Sequence, residues 1–480
     1  MRRSPLLVVS GAPVNDYLPI AGPYRQIDLP GGGKAPFYII PFDKDGACIA
    51  PVTRADLLKT LEKGAYTDVF LCSHGWNNTW PSAVGGYEDF ITGYADIRAK
   101  NPLSRGQEYR PLLIGIFWPS AVLVARGEQA PKVTVAPDDE VVARTLGDLE
   151  EVAAGLPPDS RARLYELAQR PDLSEDQAAD LAGLVAPLWG ESPDTDDLGA
   201  LADPLALGEV VRIWEALSGA YGGEVDEFSS GPTVVPDELT GDGLAQTPST
   251  ERTVLTPALF EGIKLSSLNP IALIRGTTVL LMKDRAGRVG ARGVHDLLAE
   301  VLTVTPAHVH LAGHSYGCKV ILSALCRGSV PRPVESVLLL QPAISHLCFA
   351  DDVPGLGAAG GYRAALDPGR SVQPILTTFS SRDFPLRRVF HLIARRQSDL
   401  GENTFLPEVP GRYAALGGFG PGGCGARGEI VSARDPGDPY PFDQDVRVIG
   451  IESSRVIRDH SDISNPATCW MLVAQVDHED

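Results

Sequence analysis

The chain has 480 residues, 44% hydrophobic and 21% charged, with a net charge of −19. A length beyond the ~250–300 residues over which one core grows calls for one large domain with an insertion, or for two domains. No run of ~18 apolar residues is present, which argues against a membrane-spanning helix, and the negative charge argues against nucleic-acid or anionic-lipid partners.

At the N-terminus two arginines precede the apolar run Leu6–Val9, which is shorter than the ~7–15-residue core of a signal peptide, and we read it as a first strand. Residues 36–50 read as a strand, an Asp-Lys-Asp-Gly turn and a second strand. A helical segment over Arg54–Lys63 leads to the apolar strand Thr67–Ser73, which ends in His74-Gly75-Trp76-Asn77-Asn78. Ala83, Tyr87, Phe90 and Tyr94 recur at helical spacing across 81–99. The next buried strand, Arg110–Phe117, ends in Trp118-Pro119-Ser120. Nearly continuous apolar strands alternating with helices imply a mostly parallel sheet with helices on both faces.

From about 121 to 268 the alternation stops. The segment is rich in Ala, Leu and Pro, with helices expected over Arg161–Gln169 and Leu207–Leu217 and a loop-rich tail over Ser229–Glu251. It also holds the charge imbalance: residues 131–250 carry 25 acidic and 6 basic side chains, so the rest of the chain is neutral. From 269 the alternation resumes with helices over Ile271–Lys283 and Gly293–Leu302, the strand His308–Ala312 and a helix over Cys318–Cys326. Strands Ser336–Leu340 and Val372–Phe379, a helix over Arg388–Arg396, a Gly/Pro-rich stretch at about 401–443, a last strand Val446–Val456 and a helix at about 465–476 complete the pattern. The expected architecture is α/β: residues 1–120 and 269–480 form two parts of one core, interrupted at 121–268 by a mostly helical acidic insertion. Seven scattered cysteines without a CxxC pair suggest buried reduced thiols and a cytoplasmic protein.

The chemistry concentrates in Gly313-His314-Ser315-Tyr316-Gly317. A chain this rich in glycine produces such a pentapeptide by chance, so the context decides. Here an apolar strand enters and an amphipathic helix leaves, as a nucleophile elbow requires. The flanking glycines suit the crowded turn, and the helix N-terminus supplies positive potential where negative charge develops. A serine hydroxyl needs a base, and the base needs an acid to hold one tautomer. Of the downstream histidines, His460 lies just past the last strand. His391 and His478 read as surface groups, and His346 comes too soon after the nucleophile for a Ser–acid–His order. Asp383, just beyond the strand ending at Phe379, is the candidate acid, with a helix-capping or turn aspartate as its alternative role. Asp351 and Asp352 are the runners-up, and Asp459 and Asp462 are too near His460 in sequence to orient it. The N–H groups of Tyr316 and Trp76 are the expected oxyanion donors, with Gly75 allowing close approach and Asn77 and Asn78 pinning the loop. His308, His310 and His314 form H-x-H-x3-H, but no Cys or carboxylate is placed to complete a metal site, so they read as core or supporting histidines.

Together, Gly313–Gly317, His74–Asn78, Phe117-Trp118-Pro119-Ser120 and Arg458-Asp459-His460-Ser461-Asp462 resemble the α/β-hydrolase superfamily over about 35–120 and 269–476. They are most similar to a largely uncharacterised bacterial branch with HGxNN, WPS and GHSxG motifs. The resemblance implies an α/β-hydrolase fold, a Ser315–Asp383–His460 triad and no cofactor. The expected activity is a serine hydrolase of ester-like bonds, acting on a small-molecule ester or acyl substrate through a covalent acyl-enzyme. Amidase, peptidase or acyltransferase chemistry on the same residues is the alternative, as is a scaffold whose acidic insertion docks a protein partner. The superfamily often builds lids from insertions at such points, and deleting 131–250 is the experiment expected to separate lid from docking module.

Overall fold

A computed structural model describes residues 21–30, 33–101, 109–120, 147–170, 172–189, 207–222, 268–355, 357–393, 411, 413–443 and 445–476. The expected strand at Leu6–Val9, the tail at 229–251 and His478 lie outside the described residues.

The described residues form one nine-stranded sheet: β1 (Arg25–Asp28), β2 (Lys34–Pro41), β3 (Asp68–Ser73), β4 (Pro111–Phe117), β5 (His308–His314), β6 (Ser336–Leu340), β7 (Ile375–Phe379), β8 (Gly428–Ser432) and β9 (Val448–Glu452). Their spatial order is β1-β2-β4-β3-β5-β6-β7-β9-β8. Every pairing is parallel except that of β1 with β2. Parallel neighbours need crossovers, and helices provide them on both faces. One face buries Ile40, Leu71, Ile114, Leu311 and Leu339 against α1 (Pro51–Lys63), α6 (Pro270–Val289), α7 (His295–Val304) and α8 (Tyr316–Cys326). The other buries Ile39, Phe70, Leu113, Leu338 and Ile451 against α2 (Trp80–Lys100) and α9 (Pro466–Val476). Both side-chain rows of each central strand are covered, which is why these strands read as unbroken apolar runs. No helix among the described residues is long and apolar enough to cross a membrane.

Three expectations are corrected. Residues 36–50 contain one strand rather than two: the Asp43 carboxylate accepts the N–H groups of Asp45 and Ala47, and the chain turns into α1 after a single Phe42–Cys48 bridge. The Gly/Pro-rich stretch at 401–443 contains β8, an edge strand whose Ile430 is 58% exposed. A strand with one solvated side lacks the apolar density that marks the central ones. The helix expected from Arg388 begins instead with a π turn at Pro385–Val389, because the Asp383 side chain caps the Leu386 N–H. The seven cysteines are free thiols, five buried and two half-buried.

The acidic segment is mostly helical where described: α3 (Pro158–Ala168), α4 (Glu175–Val185) and α5 (Leu207–Gly222), with a further helix at 147–154. Among the described residues, its buried apolar side chains join the main core. Trp189 and Trp214 are fully buried in the same cluster as α6 and the sheet. Trp189 Nε1 donates to Thr277 Oγ1 at 2.9 Å and Trp214 Nε1 to the Asn269 carbonyl at 2.7 Å. Arg285 of α6 pairs with Glu151. These contacts explain why α6 is buried on nearly every side despite Lys283, Asp284 and Arg285 within it.

Candidate active site

Parallel strands end along one edge of the sheet, where the ladder stops and loops begin. β3 and β5 are neighbours there, yet α2 leaves β3 to one face and α8 leaves β5 to the other. Connections that part in this way open a crevice at the strand ends. Ser315 sits at that point, between β5 and α8, with φ 55° and ψ −124°. A non-glycine residue holds such a conformation only when its surroundings enforce it. The Ser315 N–H donates to the Leu340 carbonyl at 3.0 Å, and its carbonyl accepts from Cys318 and Ala343 at 3.1 and 3.3 Å.

The glycines are required by packing. A Cβ on Gly317 would overlap the carbonyl oxygens of Ser73 and His74, and one on Gly75 would lie 2.7 Å from Ser315 Cβ. Gly313 faces the Cys318 backbone as closely. Helix propensity alone favours Ala over Gly by about 1 kcal/mol. Gly317→Ala is nevertheless expected to destabilise the fold by about 3 kcal/mol, because the first turn of α8 cannot retreat from β3. A urea-unfolding midpoint at or above wild type would show that the close approach is wrong.

Ser315, His460 and Asp383 form a continuous hydrogen-bonded chain. His460 Nε2 lies 2.9 Å from Ser315 Oγ, and His460 Nδ1 lies 2.7 Å from Asp383 Oδ2. Asp383 is fully buried, whereas the His460 side chain keeps 25% exposure. Burial pushes the Asp383 carboxyl upward, but His460, Gln341 and the Leu386 N–H outweigh it and hold the group below the usual carboxylate range. With Nδ1–H directed at the carboxylate, Nε2 is free to accept from the serine. Asp383 also caps the turn at Leu386 through Oδ1, 3.0 Å from that N–H, so both roles expected for it coexist.

The His460 loop is held from several sides. Asp462 accepts from the Arg458 N–H and Nε, and Asp459 from the Ser461 N–H and hydroxyl. His314 Nε2 lies 2.9 Å from the His460 carbonyl. Burial, then the neighbouring His460, pulls His314 down to about 3, so it is neutral and its Nε2–H donates. The runner-up Asp351 instead pairs with Arg363 and Arg427, and Asp352 is exposed. His346 is buried and pulled down to about 4 by desolvation. His391, expected on the surface, is half-buried because its short helix packs Phe390 and Leu392 inward.

The loop after β3 is built on His74. Burial pulls this imidazole down to about 4. Its Nε2 accepts the Trp118 N–H at 3.2 Å, its Nδ1–H donates to the Gly75 carbonyl at 2.9 Å, and the ring stacks on Trp118 at 5.5 Å. Asn78 Nδ2 donates to the carbonyls of Gly75 and Trp76. Asn77 adopts φ 57°, and its N–H and that of Asn78 reach Ser120. The two motifs His74–Asn78 and Trp118–Ser120 therefore form one hydrogen-bonded unit beside Ser315.

The histidines of H-x-H-x3-H go to different partners. His308 meets Glu335, His310 bridges Asp68 and Ser336, and His314 reaches His460. Gln341, which no motif in the sequence marks, is fully buried just past the end of β6 with φ 44°. Its Nε2 donates to Asp383 Oδ2 at 2.8 Å. The available signal was its place: a polar residue at the C-terminal end of an apolar strand, as with Ser73 and Ser315. The chain matches no protein-family model, no curated protein and no solved structure, so the chemistry of the site is read from its own geometry.

Proposed function

We propose that this chain is a serine hydrolase of ester-like bonds with an α/β-hydrolase fold. The observation that carries the reading is the Ser315–His460–Asp383 relay seated on a positive-φ turn at the head of a helix. In the proposed reaction Ser315 Oγ attacks the acyl carbon while His460 Nε2 takes the hydroxyl proton. The imidazolium, stabilised by ionised Asp383, then protonates the leaving group, giving an acyl-enzyme and an alcohol. Water, deprotonated by the same imidazole, attacks the acyl carbon; the acyl–Oγ bond then breaks, the imidazolium returns its proton to Ser315 Oγ, and the carboxylic acid leaves. Negative charge on the carbonyl oxygen falls to the N–H of Tyr316, first residue of α8, and that of Trp76, which follows Gly75 packed against Ser315.

The relay uses only side chains of this chain, so the proposed chemistry calls for no cofactor. A fluorophosphonate probe is expected to label Ser315, and Ser315→Ala is expected to abolish labelling and lower p-nitrophenyl acetate turnover by about 10³-fold or more. Labelling of the folded wild type at another residue, or none, would remove the proposal.

A further inference from the structure

We infer that Gln341 is a positioning residue for the acid of the relay: its side-chain amide holds the Asp383 carboxylate in the orientation that His460 requires. The inference rests on the proposed hydrolase reading. Gln341 has its side-chain amide and its backbone N–H engaged. Nε2 donates to Asp383 Oδ2 at 2.8 Å and to the Gly417 carbonyl at 3.2 Å. Oε1 accepts from the Thr378 hydroxyl at 3.0 Å, and that same hydroxyl oxygen accepts the Gln341 backbone N–H at 2.8 Å.

This pattern allows one orientation of the amide. Flipping it would set Oε1 against a carboxylate and a carbonyl, neither of which can donate. The anchor at Thr378 lies in β7, the strand that delivers Asp383, while Gln341 directly follows β6. The amide thereby ties the acid to two neighbouring strands of the sheet. Unlike a bond from the loop itself, this connection cannot drift with the loop. The left-handed backbone of Gln341 is unfavourable for a non-glycine side chain, and it persists in a site where residues are over-determined.

A neutral donor is also what the relay needs at this position. Asp383 Oδ2 already accepts His460 Nδ1–H, and a second donor on the same oxygen favours the ionised form and limits rotation about the Cβ–Cγ bond. A carboxylate at position 341 would repel Asp383, whereas a protonated carboxyl there could donate in place of the amide. That difference separates a positioning role from simple filling of space.

The test compares wild type, Gln341→Met and Gln341→Glu in p-nitrophenyl acetate turnover and in the rate of fluorophosphonate labelling. Gln341→Met keeps the length and removes the donor, so kcat is expected to fall about tenfold or more with KM within about twofold. For Gln341→Glu, kcat relative to wild type is expected to climb as pH falls from about 9 to about 6 and the introduced carboxyl gains its proton. Wild-type kcat in Gln341→Met, or a Gln341→Glu ratio that stays flat across this range, would overturn the role of Gln341 alone. Failure of the wild type to label or turn over would instead remove the hydrolase reading, and this inference with it. Should Gln341→Met not fold, Gln341→Gly relieves the left-handed backbone, keeps the N–H to Thr378 and is expected to show the same loss in kcat.

Discussion

Asp383→Asn is expected to lower kcat on p-nitrophenyl acetate by about 10³–10⁴-fold while the protein stays folded. The carboxylate accepts three hydrogen bonds and donates none: His460 Nδ1–H and Gln341 Nε2–H on Oδ2, and the Leu386 N–H on Oδ1. An amide offers one acceptor and one donor group, so no orientation serves all three. With its NH₂ at the Oδ2 position it meets the Gln341 amide head-on and forces His460 to accept at Nδ1. The imidazole proton then moves to Nε2, facing the Ser315 hydroxyl, which leaves no base. With its NH₂ at the Oδ1 position it opposes the Leu386 N–H and opens the turn that holds residue 383. Either way the charge that stabilises the imidazolium is gone. Fluorophosphonate labelling is expected to slow in parallel. Unmet donors in a buried site cost about 1–3 kcal/mol, so the melting temperature should drop by a few degrees without collapse of the fold. Turnover within about tenfold of wild type would remove Asp383 from the relay.

Trp214→Ala is expected to destabilise the protein by about 3–5 kcal/mol, a large share of the roughly 5–15 kcal/mol that holds a domain together. The indole is fully buried in the cluster shared by the acidic segment, α6 and the sheet. Truncation leaves a cavity and deprives the Asn269 carbonyl, at the N-cap of α6, of its 2.7 Å donor. α6 packs in turn on α5 and on α8, the helix that opens with the Ser315 turn. Loss in the insertion should therefore be felt by the whole core, as one unfolding transition shifted to lower urea. A separate low-stability transition, or an unchanged midpoint, would mean that the insertion folds on its own. The same packing predicts that deleting 131–250 unfolds the protein, because it removes Trp189 and Trp214 together. Unfolding on deletion would leave the lid and docking-module readings undistinguished, whereas a folded deletion variant would allow the comparison.

Much of the core was legible because its determinants are local. Val69-Phe70-Leu71-Cys72 and Val337-Leu338-Leu339-Leu340 are apolar on both faces, which only a covered parallel strand accommodates. Ser315 was legible because a tight strand-to-helix turn needs glycine at fixed offsets, and Gly317 meets that need against Ser73. Asp383 and His460 follow strand ends, and chain order narrowed the choice. Edge elements were not legible in this way. β1 and β8 bury little, so Gln26 and Ile430 carry no strong pattern. The acidic charge of the insertion suggested a lid or docking module, since charge reports the solvated face and is silent about the tryptophans beneath it.

Local residue patterns were enough for the parallel α/β character, for the helices among the described residues of the acidic segment, and for the three side chains that meet at the strand ends. Each depends on residue type at short spacing. Packing in three dimensions was needed to see that the described part of the acidic segment completes the core around α6, that His74 and Trp118 join two motifs into one loop support, and that Gln341 anchors Asp383 to β7. Those outcomes depend on which distant segments share a surface: Trp214 and Asn269 are 55 positions apart, and Gln341 and Asp383 are 42. Hydrogen-bond geometry between such pairs is set by strand register and helix placement, and no periodicity within either segment records it.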